Sequence, residues 1–151
     1  MLFRSFLASL EMARVLGPDR CIALPMFHAF TGCDTVSCFG GRGKRTAWDT
    51  WRAYEGVTTA FCSLATISDS ESIEGSMTSL ERFVILMYDG TSSLECVKQA
   101  RKHLFNQKGR SIEAIPPTKA ALIQHTKRAT YQAGYCWAQV MIPAPDRKSV
   151  V

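Results

Sequence analysis

The sequence predicts a mainly α-helical fold with few or no strands. Apolar residues recur at helical spacing along most of the chain, and Ser/Thr-x-x-Glu capping boxes stand before two such stretches. Glycine and proline punctuate the ends, and strand signals are few. At 151 residues the chain suits one domain with a core of its own.

Phe6, Leu7, Leu10 and Ala13 mark a first helix over 6–16, stopped by Gly17-Pro18. The run CIALPMFHAF (21–30) is apolar throughout. Pro25 suits the first turn of a helix and not a central strand, so a helix is expected to begin near it. Gly32 and Gly40-Gly41-Arg42-Gly43 break the pattern, and a helix from Lys44 to Tyr54 follows. Gly56 separates that from the apolar stretch VTTAFCSLATI. Residues 66–76, TISDSESIEGS, read as an acidic, Ser-rich surface loop.

Thr78-x-x-Glu81 and Ser92-x-x-Glu95 then open helices. The apolar stripes are Leu80, Phe83, Val84 and Met87 in one, and Leu94, Val97, Leu104 and Phe105 in the other. Pro116-Pro117-Thr118 sets up the longest helix, running to about Met141. Its inner stripe is Leu122, Thr126, Ala129, Ala133, Cys136 and Val140, and Lys119, Lys127, Arg128 and Tyr131 lie mainly away from it. The organisation is thus a helical segment over 1–65 with a central glycine hairpin, the loop 66–76, a three-helix basic region over 77–142, and a frayed tail over 143–151.

Charge is uneven along the chain. Residues 1–97 hold 8 Lys/Arg against 11 Asp/Glu, and residues 98–151 hold 10 against 2, a basic C-terminal third suited to a polyanion. No apolar run approaches the ~18 residues of a membrane span. The amphipathic N-terminus lacks the features of a signal peptide. Six cysteines without a C-x-x-C pair fit reduced thiols serving as small core residues in an intracellular protein.

The stretch HAFTGCDTVSCFGGRGKRTAW (28–48) concentrates the candidate chemistry. A phosphate-binding P-loop fails, because Cys38 stands at its first glycine and Arg45 at its Ser/Thr. A dinucleotide fingerprint fails at Thr46. His28, Cys33, Asp34 and Cys38 are zinc-type ligands at no usual spacing. Cys33 or Cys38 served by His28 would be a nucleophile without an orienting partner. His28, in an apolar helix, reads as a hydrogen-bonded core histidine. A helix–hairpin–helix-like turn survives these tests. Gly41 and Gly43 let backbone N–H groups approach a phosphate, the next helix start adds its positive end, and Arg42, Lys44 and Arg45 supply charge. Such a site grips nucleic-acid backbone without reading bases.

Gly32-Cys33-Asp34 followed by Gly41-Arg42-Gly43-Lys44-Arg45-Thr46-Ala47 resembles the PIN-like and flap-endonuclease-like nucleases. The blocks LPMFHAFTGCDTVSCFGGRGK, LERFVILMYDG and PPTKAALIQHTKRATYQAGYCW, in that order, resemble a group of mobile-element-associated animal proteins over residues 20 to about 137. The resemblance implies that Asp34 is a catalytic, metal-binding carboxylate for Mg2+ or Mn2+, and that Gly41, Gly43 and Lys44 form a DNA-gripping hairpin. Such a nuclease clusters several carboxylates around its metals. The sheet and the early acidic residues would lie upstream of this chain, and Asp49 and Glu55 do not match the missing ligands.

The chain therefore reads as the helical C-terminal portion of a PIN-like α/β nuclease-type protein, without a complete catalytic set. It is expected to bind nucleic acid weakly through Gly41, Arg42, Gly43, Lys44, Arg45, Lys127 and Arg128. A missing N-terminal nuclease segment would be a further partner, no membrane is expected, and the nucleus is the compartment that charge and partner suggest. The alternative is a helical protein-interaction or structural module without a nucleic-acid role.

Overall fold

The computed structural model describes residues 2–66 and 70–137. Over that range the chain is mainly helical: α1 (Leu2–Leu16), α2 (Pro18–Phe30), α3 (Lys44–Ala53), α4 (Val57–Thr66), α5 (Ser70–Tyr88), α6 (Val97–Phe105) and α7 (Lys119–Thr130). A 3-10 turn, Ile112–Ala114, precedes α7, and a π-helical turn, Tyr131–Cys136, continues it. Among the described residues no strand forms, and the only extended pairings are the isolated bridges Cys33–Val36 and Phe39–Arg42. None of the described helices is long and apolar enough to cross a membrane.

The core is aromatic and centres on α2. Phe27 stacks on Trp51 at 4.7 Å and meets Phe61 edge-on, while Phe30 packs against Phe39, Phe61 and Phe83. Trp51 is buried and its indole N–H donates to Thr58 Oγ1 at 2.8 Å, which satisfies the one polar atom it brings inside. Helices α4, α5 and α7 close around this cluster.

Helix α2 starts seven residues before the expected point and runs through Pro25. Gly17, at φ 81°, ends α1, and Pro18 takes the first position of α2, where its missing N–H costs nothing. An interior proline costs about 3 kcal/mol. Burial of Met26, Phe27 and Phe30 beyond it contributes about 1.5–3 kcal/mol for each side chain, so the helix persists.

Helix α5 overturns the loop expected over 66–76: from Ser70 the chain is already helical, with 67–69 outside the described residues. Ile73 and Met77 are buried and extend the stripe of Leu80, Val84 and Met87 by two turns. Thr78 is consequently inside a helix and opens nothing. The second expected capping box is also not formed. Ser92 Oγ accepts the Leu94 N–H in a turn, and α6 begins only at Val97. Phe105, expected on the inner stripe, points outward. The third signal holds, since Thr118 Oγ1 accepts the Ala121 N–H and caps α7. The expected helix to Met141 gives way to the π turn after Thr130, and Val140, Met141 and the tail lie outside the described residues. All six cysteines are free thiols as expected, but none is fully buried: Cys33 and Cys62 pack against the edge of the core and Cys38 is exposed.

The core histidine is His125, not His28. His125 is 6% exposed, donates from Nε2 to the Phe30 carbonyl at 2.6 Å, and lies against the rings of Phe30 and Phe39. Burial lowers its pKa below the usual 6.5, as does the charge of Arg128, and the Phe30 carbonyl offsets this only in part. A depressed histidine pKa means that the unfolded chain takes up a proton before the folded one does. Its contribution is therefore complete above about pH 6.5 and declines as pH falls below that value. The melting temperature should drop between about pH 7.5 and 5.5, and less so in His125→Gln. Equal drops in both proteins would show that another group governs the acid limb.

Candidate functional site

The loop 31–43 leaves α2 and delivers the chain to α3 through two tight turns. In the first, the Cys33 N–H donates to the Val36 carbonyl at 2.9 Å and the Val36 N–H returns to Cys33 at 3.2 Å. In the second, the Arg42 N–H donates to Phe39. Val36 and Phe39 are buried and pin the loop to the core, leaving Asp34, Thr35, Ser37, Cys38, Gly40 and Gly41 exposed. Arg42 lays its guanidinium over the Tyr88 ring, 4.8 Å from the centroid.

Lys44 is tied to the fold. Its ammonium donates to the His28 carbonyl at 2.5 Å and to Thr31 Oγ1 at 2.6 Å. A cation bonded to a last-turn carbonyl satisfies an orphan acceptor of α2 and suits the negative end of that helix. Burial lowers the Lys44 pKa, with Cys33 and Cys38 acting against it. Gly43 is the opposite case. Its φ of −81° suits any residue, and nothing lies within 4 Å of the position a Cβ would take. The fold does not require glycine there, and the open space lies before the α3 start, where Arg45 is exposed.

Asp34 sits exposed in the first turn and lines a cavity of about 400 Å3 with His28, Cys33, Gln132 and Trp137. His28 is exposed and stacks on Trp137. Burial raises the Cys33 thiol pKa, but the Thr35 hydroxyl, the backbone N–H groups of Thr35 and Val36, and Lys44 together bring it below the usual value. Among the described residues no three His, Cys, Asp or Glu side chains gather closely enough to hold a metal ion. One carboxylate does not fit a two-metal centre, and no hydrolytic step is derived from it.

The end of α7 and the loop 31–43, far apart in sequence, meet in space. Arg128 of α7 shares one cavity, of about 320 Å3, with Ser37, Gly40 and Tyr88, with Glu113 on the same wall. It shares a second, of about 380 Å3, with Thr35, Lys127 and Tyr131. The Thr35 hydroxyl donates to Gln132 Oε1 at 2.8 Å and fastens the loop to the π turn. Lys127 and Arg128 therefore stand together beside the loop.

No protein-family profile, curated protein or solved structure matches this chain. Sequence spacing missed Thr35 and Gln132, whose contact spans 97 positions. It also missed that Tyr131 and Tyr135 stack on each other at 5.1 Å with an interplanar angle of 20°. Tyr-x-x-x-Tyr at the end of a basic helix was the available signal, since residues four apart share a face.

Proposed function

We propose that the chain binds nucleic acid through its phosphate backbone, without reading bases, as the helical C-terminal portion of a PIN-like, transposon-associated protein. The observation that supports this reading most is the approach of Lys127 and Arg128 to the glycine loop, with Arg128 and Gly40 lining one cavity. A phosphate held there meets the Arg128 guanidinium, and the open space at Gly43 admits another to the N–H groups that begin α3. Asp34 belongs to a Mg2+ or Mn2+ site only in a longer form that supplies the remaining carboxylates. The nucleus is the matching compartment.

The test is fluorescence anisotropy of a labelled flap DNA across a salt series. Log affinity should fall linearly with log salt, and Lys127→Ala/Arg128→Ala should weaken binding on the order of tenfold and lower the slope by about 2. Gly43→Ala should weaken binding at unchanged thermal stability. Lys44→Ala is a poorer probe, because it also removes the two bonds at the end of α2. No binding at low salt would overturn the proposal.

A second reading, a helical protein-interaction module, is favoured by α1. Residues 7–15 are exposed on every side of that helix, Leu7, Leu10, Met12 and Val15 among them. An apolar helix so placed suits a covering protein surface.

A further inference from the structure

We propose that the concavity between the loop 31–43 and the end of α7 takes one unit of a single-stranded nucleic acid, with its base stacked on Tyr131. This rests on the backbone-binding reading above and narrows it to a substrate class.

The concavity holds about 380 Å3 and is lined by Thr35, Gln124, Lys127, Arg128, Tyr131 and Gln132, besides Val36. None of the described residues lining it is acidic, so its field suits an anion. Lys127 and Arg128 lie one turn before Tyr131 on a continuous helical path, so a phosphate and the base it carries can be met together. Tyr131 is 59% exposed and Tyr135 52% exposed, and their rings are stacked nearly parallel. An exposed tyrosine backed by a second ring gives a flat, stiff face of the kind on which bases stack regardless of sequence.

The backbone around the stack is itself unusual. Tyr131–Cys136 is a π-helical turn, a form found mostly as single turns and often at functional sites. Its second residue, Gln132, accepts the Thr35 hydroxyl, which ties the turn to the loop. Gln124, exposed on the turn before Lys127, can meet polar edges of a base or sugar without selecting one base. A paired duplex keeps its bases stacked internally and offers no free base face to Tyr131. A single strand does, and that difference is the source of the preference.

The experiment compares labelled oligo(dT), oligo(rU) and a DNA duplex of equal length on the whole chain, in one low-salt buffer. Wild-type protein should bind the single strands about tenfold or more tightly than the duplex, and Tyr131→Ala should remove that preference. Tyr131→Phe should retain it, because the ring face and not the hydroxyl makes the contact. Tyr131→Leu keeps a large apolar body and should behave like Tyr131→Ala, which separates stacking from local packing. The two single strands distinguish DNA from RNA as the source of the base. Equal binding of strand and duplex, or an unchanged preference in both Tyr131→Ala and Tyr131→Leu, overturns the stacking site and leaves the basic face standing. Absence of salt-sensitive binding to all three probes overturns both.

Discussion

Gly32→Ala is expected to destabilise the protein by about 2–5 kcal/mol, seen as a lowered urea midpoint at unchanged m-value. Two independent causes add. Gly32 sits at φ 109°, outside the regions open to a residue with a Cβ, and holding alanine there costs on the order of 1–3 kcal/mol. A Cβ would also stand 2.6 Å from the Cys38 Cβ and 2.9 Å from its Cα. No rotamer change relieves a clash with backbone, so the loop must move, at a further cost of about 1–3 kcal/mol. Movement of Cys38 would pull at Phe39, its buried neighbour, and at the face that Thr35 and Arg128 share. Gly43→Ala, four residues beyond the second turn's start, should be nearly neutral, which isolates the cause. A Gly32→Ala midpoint within error of wild type would mean that the loop has room the geometry denies.

Much of the fold was legible because burial imposes a period. The stripe Leu80, Phe83, Val84 and Met87 is buried as its spacing requires, and so are Leu122, Thr126, Ala129 and Ala133. The boundaries were less legible, because a capping box signals a helix start only when no stronger packing runs through it. Ile73 and Met77 gain more by entering the core than Thr78 and Glu81 gain by closing a box, so α5 begins at Ser70. Pro25 misled for the same reason, local preference losing to the burial of Met26, Phe27 and Phe30.

At the site, the glycine turn and the basic α7 were legible separately, but their meeting was not. It depends on Phe39 packing against His125, a contact between rings 86 positions apart that no local pattern encodes. Lys44 illustrates the limit from the other side. A lysine after Gly-x-Gly has the same sequence signature whether it greets a phosphate or, as here, bonds the carbonyl of His28. Only the path of α2 decides which.

Glu81→Ala is expected to cost about 1–3 kcal/mol, the range for leaving a buried backbone N–H without its acceptor. Glu81 is 4% exposed, so its carboxylate has given up nearly all of its water. Two partners replace that water: Oε2 accepts the Val97 N–H at 3.0 Å, and Oε1 meets the Lys119 ammonium at 3.0 Å. The first bond matters more. Val97 begins α6, Cys96 before it makes no side-chain cap, and the negative charge sits at the positive end of the helix. Glu81 on α5 thus starts α6 from 16 positions away and guides Lys119, at the start of α7, to the same place. Alanine would leave the Val97 N–H without an acceptor and a void among buried side chains. Glu81→Gln keeps the shape and an acceptor oxygen while losing the charge, so it should lose clearly less. Lys119, 56% exposed at its side chain, can turn to water in Glu81→Ala, whereas Lys119→Ala leaves the buried Glu81 carboxylate with the Val97 N–H alone and should destabilise measurably, but less than Glu81→Ala. Chemical denaturation of the three variants orders these effects. If Lys119→Ala proved as damaging as Glu81→Ala, the ion pair and not the cap would be the bond that organises the three helices.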